Sequence, residues 1–178
     1  MSNFLSGKIA VSGCSAGLPC SHDGGHRLSE PVRRLVAEGR AVLICPEQLG
    51  GMPAPREKAE IVGGDGGSVL DGDAAVLSGS GRDLTERFLE GARRSLEVAR
   101  RHGCRLAVLK ARSPSCGRGE IYDGSFSGAR RPGDGVTAAL FRRAGIRVLT
   151  DEELAAEPRA AVNAGGKDLQ RKTELTET

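Results

Sequence analysis

Apolar residues in this chain come in two patterns. Short continuous runs stop at glycine, proline or cysteine, and longer segments repeat their apolar positions at helical spacing. Lys8-Ile-Ala-Val-Ser12, Arg40-Ala-Val-Leu-Ile44, Arg105-Leu-Ala-Val-Leu-Lys110 and Ile146-Arg-Val-Leu149 belong to the first kind. Such runs have the length and composition of strands buried on both faces of a parallel sheet. The second pattern predicts three helices. One begins after Ser29 as N-cap, with Glu30 and Pro31 in its first turn, an apolar face of Val32, Leu35 and Val36, and a stop at Gly39. Another spans Asp83 to His102, where Leu84, Phe88, Ala92, Leu96 and Ala99 recur on one face and Gly103 ends it; Asp83 and Glu86 have the spacing of a capping box. The third runs from Asp134 to Ala144, before Gly145.

Strands alternating with helices predict an α/β, Rossmann-like fold: a mostly parallel sheet flanked by helices. Small antiparallel β excursions interrupt it. Between Ala59 and Ser78 three short pieces, Glu60-Ile-Val62, Ser68-Val-Leu70 and Ala74-Ala-Val-Leu77, are split by Gly63-Gly-Asp-Gly-Gly67 and Asp71-Gly-Asp, and Ile121-Tyr-Asp-Gly-Ser-Phe126 reads as a hairpin. Residues 1–157 are expected to form one domain, and 158–178, which lose apolar periodicity, a disordered tail.

Composition narrows the picture in three ways. Aromatics are 3% of the chain and Trp is absent, so the core must be built from Val, Leu, Ile and Ala. No apolar stretch is long enough to span a membrane, and Met1-Ser-Asn-Phe-Leu-Ser lacks the build of a signal peptide, so a cytoplasmic location and no membrane partner are expected. The net charge of +3 is mild, and arginine pairs such as Arg100-Arg101 and Arg142-Arg143 read as solvated helix faces rather than a nucleic-acid surface. Five cysteines in such a chain point to metal or catalytic thiols rather than disulfides.

Three of these thiols occupy equivalent places. Cys14, Cys45 and Cys116 each follow the carboxyl end of a different predicted parallel strand. Ligands of open parallel sheets bind outside those ends, so the three should share one rim. Cys116 sits in Lys110-Ala-Arg-Ser-Pro-Ser-Cys-Gly-Arg-Gly119, where Pro114 ends strand pairing and the sequence neighbours offer the thiol nothing apolar to pack against. Three thiolates with an open position suit a catalytic metal or an iron–sulfur cluster. Glu47, two residues past Cys45, is a candidate general acid or base, and Ser113 a hydroxyl able to bond a substrate heteroatom. Cys20 could be a fourth ligand, a reserve thiol or a packing residue; Cys104, on the apolar approach to a strand, reads as core. His22 and His26 lie in a loop and read as loop hydrogen-bonding groups. The glycine runs match neither a dinucleotide fingerprint nor a P-loop.

Longer motifs add to this reading. Val11-Ser-Gly-Cys14 through Pro19-Cys20 and Asp23-Gly-Gly25, Cys45-Pro-Glu-Gln-Leu-Gly-Gly51 with Pro53 and Pro55-Arg56, Lys110-Ala-Arg-Ser-Pro-Ser-Cys-Gly117 with Ile121-Tyr-Asp-Gly124, and Arg131-Pro-Gly-Asp-Gly-Val-Thr137 together resemble the thiouracil desulfurase family, over about residues 7 to 155. The resemblance implies a 4Fe–4S cluster with three Cys ligands, Cys14, Cys45 and Cys116, and one open iron. It implies Glu47 as the acid/base carboxylate, Ser113 as the assisting hydroxyl, and a small thiopyrimidine as substrate. The implied reaction is non-redox: water activated by Glu47 replaces sulfur at a ring carbon, giving uracil or an analogue and sulfide. Ser15-Ala-Gly17, where relatives carry larger apolar residues, departs from the pattern and bears on pocket shape. A larger relative with an added C-terminal domain acts on thiouridine in transfer RNA, a domain not expected here. The competing readings are sulfur transfer or thiouridine removal on transfer RNA, and a zinc-bound or redox-sensing thiol module.

Overall fold

The computed structural model of the protein describes residues 7–156; the expected tail lies outside them. Four parallel strands make the central sheet: β1 (Ile9–Ser12), β2 (Ala41–Ile44), β5 (Leu106–Leu109) and β8 (Arg147–Thr150), in the order β2-β1-β5-β8. The chain first steps from β1 to β2 on one side, then crosses to β5 on the other. The order of strand addition therefore reverses between β1 and β5, and a crevice opens beyond their carboxyl ends. These two central strands are buried at every position, as continuous apolar runs require, while β2 and β8 at the edges alternate.

Side-chain alternation sends successive strand residues to opposite faces. Ile9, Val11, Leu106 and Val108 meet Val32 and Leu35 of α1 (Glu30–Ala37) and Leu154 of α6 (Asp151–Ala156). Ala10, Val42, Ile44, Ala107, Leu109 and Val148 pack under α4 (Thr85–Arg101) and α5 (Val136–Arg143), against Leu96, Ala99 and Phe141. The result is three layers, helix on sheet on helix. A further apolar cluster joins the two antiparallel pairs, β3 (Ala59–Val62) with β4 (Ala75–Ser78) and β6 (Glu120–Tyr122) with β7 (Arg130–Pro132), to Phe88 and Val136.

Close backbone approach explains two of the glycines. The short helix α2 (Pro46–Leu49) rests directly on α4: a Cβ on Gly91 would stand 1.9 Å from the Pro46 carbonyl oxygen, and one on Gly50 2.1 Å from that of Arg87. Any side chain there would push α2 away from α4. These contacts fix the segment that carries Cys45 and Glu47.

The structure refines the sequence reading at several points, and adds two short helices, α2 and α6, that the sequence reading did not expect. Ser68-Val-Leu70 is helical, inside α3 (Gly66–Asp71), because Asp65 caps the helix and exchanges hydrogen bonds with Ser68. Asp83 and Glu86 form no capping box. Leu84 is the N-cap of α4, and Asp83 instead accepts from the Thr85 amide at 2.8 Å. Ser29 does stand at the N-cap of α1 but makes no side-chain capping bond. Finally, Cys116 is not without apolar neighbours: it is 5% exposed and packs in the cluster of Ala138 and Phe141, residues that α5 brings in from later in the chain.

Candidate active site

Beyond the carboxyl ends of β2, β1 and β5 lies a cavity of about 520 Å³, within the range of small-molecule binding sites. Cys14, Cys45 and Cys116 all line it, as do Glu47 and Ser113. Each thiol is delivered differently. Cys14 sits in a 3₁₀ turn, Gly13–Ala16, that continues straight out of β1. Cys45 is the N-cap of α2, with Pro46 setting the first helical position. Cys116 is reached after Pro114 and held by Ser12, whose hydroxyl donates to its Sγ at 3.4 Å and accepts from the Lys110 amide at 2.9 Å. Cys104 is buried in the core before the opposite, amino end of β5 and does not line the cavity.

Cys20 is also in the cavity wall, buried to 3% exposure, and lies between two of the other thiols. Cys45 Sγ donates to the Cys20 carbonyl oxygen at 3.8 Å, and the neighbouring thiols of Cys14 and Cys45 push the pKa of Cys20 up. The Cys20 side chain beside it draws Cys14 down to about 7 against the cost of burial, helped by the Ser21 hydroxyl and the charge of Lys110. Cys45 is lowered chiefly by Cys20 as well. Cys116 is pushed up by burial, with the Ser12 hydroxyl acting against it.

Glu47 forms an ion pair with the Nε of Arg56, and the two side chains are only 16% and 9% exposed. The rest of that guanidinium donates to the carbonyls of Pro53 and Cys20, each at 3.0 Å. One arginine thus ties the Glu47 carboxylate to two loops of the cavity wall. Ser113 has its acceptor capacity in use: its Oγ receives the amides of Ser115 at 3.1 Å and Cys116 at 3.2 Å. A hydroxyl accepts through two lone pairs and donates one proton, so the O–H of Ser113 is left to donate. His22 lines the cavity and its pKa is lowered by burial, while His26 accepts the Leu28 amide within its loop.

Sequence reasoning missed three supporting residues. Ser12 and Arg56 are two of them; the third is Asp151, at 5% exposure, the first residue of α6. Its carboxylate accepts from Ser15 Oγ at 3.1 Å, Lys110 Nζ at 3.1 Å and the Ala111 amide at 2.9 Å. Ser15, where the sequence departs from the family pattern, is thereby accounted for: it is fully buried and needs a polar partner. Asp151→Ala would strand the Lys110 ammonium, and breaking one side of such a pair costs about 3 kcal/mol. The expected result is a lower urea midpoint at unchanged slope; an unchanged midpoint would show that Asp151 carries no such weight.

Comparison with known proteins agrees with this arrangement. Residues 9–153 match the family described as 2-thiouracil desulfurase. An uncharacterized protein of Bacillus subtilis (strain 168), YbbK, is 49% identical over 146 residues, covering 82% of this chain and 97% of the relative. Among solved structures, the [4Fe-4S]-dependent thiouracil desulfidase TudS (DUF523Vcz) superposes with a TM-score of 0.73 at 41% identity, covering 84% of this chain and 94% of the other. With four-fifths of its length inside the match, the chain belongs to the 2-thiouracil desulfurase family.

Proposed function

We propose that this protein removes sulfur from a thiolated pyrimidine such as 2-thiouracil by iron–sulfur-dependent, non-redox hydrolysis. The observation that carries the reading is the meeting of three strand-end thiols with a carboxylate and a hydroxyl around one cavity. Family membership and the likeness to a [4Fe-4S]-dependent thiouracil desulfidase support it.

The donor set fits such a cluster. Thiolate sulfur is the ligand of iron–sulfur centres. Among the described residues, no three His, Cys, Asp or Glu side chains are grouped to hold a single metal ion. A cluster asks for less convergence, because each thiolate takes its own iron. Cys14, Cys45 and Cys116 are the residues that would hold it, leaving one iron without a protein ligand. When bound, the cluster supplies a Lewis acid suited to a soft thiocarbonyl sulfur.

The remaining work falls to the chain's own groups. Glu47 takes a proton from the attacking water, with Arg56 fixing the direction of its carboxylate. Ser113 donates a hydrogen bond to a heteroatom of the ring. The water oxygen becomes the new carbonyl oxygen, the carbon–sulfur bond breaks, and both water protons end on sulfide. No electron is gained or lost.

Anaerobic reconstitution with iron and sulfide, followed by addition of 2-thiouracil, tests the reading. Uracil and sulfide should form in equal amounts, with many turnovers per protein. Reconstituted protein that releases no sulfide, or that carries stoichiometric zinc and no acid-labile sulfide, would overturn it.

A further inference from the structure

Aromatic side chains in the described part of the chain divide sharply by location. Phe88 and Phe141 are fully buried core residues, whereas Tyr122 and Phe126 both line the cavity. Phe126 lies in the loop between β6 and β7 and is 39% exposed, so packing does not explain it. Its backbone is left-handed, φ 57°, a conformation that a bulky side chain rarely adopts unless the surroundings impose it.

The surroundings do impose it. Glu60 of β3, only 8% exposed, accepts the amides of both Gly124 at 2.9 Å and Phe126 at 3.0 Å on one carboxylate oxygen. Gly124, with φ 90°, presses so closely on β3 that a Cβ would lie 2.5 Å from the Ile61 carbonyl oxygen. A buried carboxylate and a glycine contact therefore clamp the hairpin loop to the neighbouring sheet. The clamp places a benzyl group at the cavity wall instead of in the core.

We propose that Phe126 is the stacking surface for the flat face of the substrate ring, and that Glu60 is the positioning residue that holds it there. The assignment rests on the desulfuration reading above. Ser113 and the thiol-lined wall can address the edge of a pyrimidine, but hydrogen bonds do not secure its face. An aromatic plane does, and it accepts any base because every base has a π-face. Phe126 would thus set affinity for pyrimidine rings in general, while the edge contacts choose among them.

Uracil, the product, allows binding to be measured without turnover. Calorimetric titration of uracil into anaerobically reconstituted protein should show that Phe126→Ala weakens binding roughly 5- to 150-fold, the range for removing one base-stacking side chain. Phe126→Tyr and Phe126→Trp should restore it. With 2-thiouracil the same loss should appear in KM, with kcat changed less than about threefold, as for an interaction present before and during the reaction. Iron content should be unaltered in all three variants, since Phe126 is none of the residues that would hold the cluster. Glu60→Gln should weaken uracil binding in the same direction, by a smaller factor. If the wild-type protein turns over 2-thiouracil but Phe126→Ala binds uracil as well as wild type, the stacking assignment is wrong and the desulfuration reading stands. If the wild-type protein releases no sulfide, both fall together.

Discussion

Cys14→Ser, Cys45→Ser and Cys116→Ser should each emerge from anaerobic reconstitution without a stable iron–sulfur chromophore and without turnover. A cluster held by three thiolates has no spare ligand among them, and serine oxygen is a poor substitute for sulfur at these irons. The three sites come from three different strand ends, so a shared result would not reflect damage to one loop. Cys104→Ser is the control. That thiol sits in the core away from the cavity, so the variant should keep full iron while losing some stability. Cys20→Ser is the sharper comparison. Cys20 lies beside the thiols of Cys14 and Cys45, and the carbonyl that Cys45 bonds is backbone and survives the substitution. With three ligands elsewhere, Cys20→Ser should retain its iron. Iron analysis and absorbance spectra decide the matter: a cluster lost in Cys20→Ser and kept in Cys116→Ser would reassign the ligand set.

The parts of this fold that were legible in the sequence are those specified by local pattern. Ile9–Ser12 and Leu106–Leu109 are central strands, and continuous apolar runs announce burial on both faces. Given those strands, the rule that ligands gather at carboxyl ends brings Cys14, Cys45 and Cys116 to one rim without any local metal motif. What stayed hidden depends on contacts made across the chain. Arg56 reaches Glu47 across nine positions, Asp151 reaches Ala111 across 40, and Ser12 reaches Cys116 across 104. Cys116 has no apolar sequence neighbours, and the residues it packs against arrive with α5. Ser68-Val-Leu70 misled for a different reason. Three residues are too few to show a period, and there the capping pair Asp65 and Ser68 outweighs β-propensity. The helix α6 carries little apolar periodicity; it starts directly from β8, with Glu153 and Thr150 exchanging hydrogen bonds across the junction.

Glu47→Gln should keep the cluster and lose the reaction. If the carboxylate accepts a proton from water, its amide cannot, and turnover should fall by about two to four orders of magnitude, the range for lost general acid–base catalysis. The structure also indicates why the loop should survive. Glutamine has nearly the same shape, and its amide oxygen can still accept from Arg56. That guanidinium keeps the carbonyls of Pro53 and Cys20 as further acceptors. Arg56 would lose a charged partner but not its place, so the wall between Cys20 and Cys45 should hold its form. Cys45 lies two residues away on the same short helix, packed by the close approach of Gly91 to Pro46. Iron content and absorbance should therefore match wild type, and uracil binding should be little changed because Glu47 acts on water rather than on the ring. Near-normal turnover in Glu47→Gln would remove the carboxylate from the chemistry. Loss of iron in the same variant would instead place Glu47 among the groups that hold the cluster.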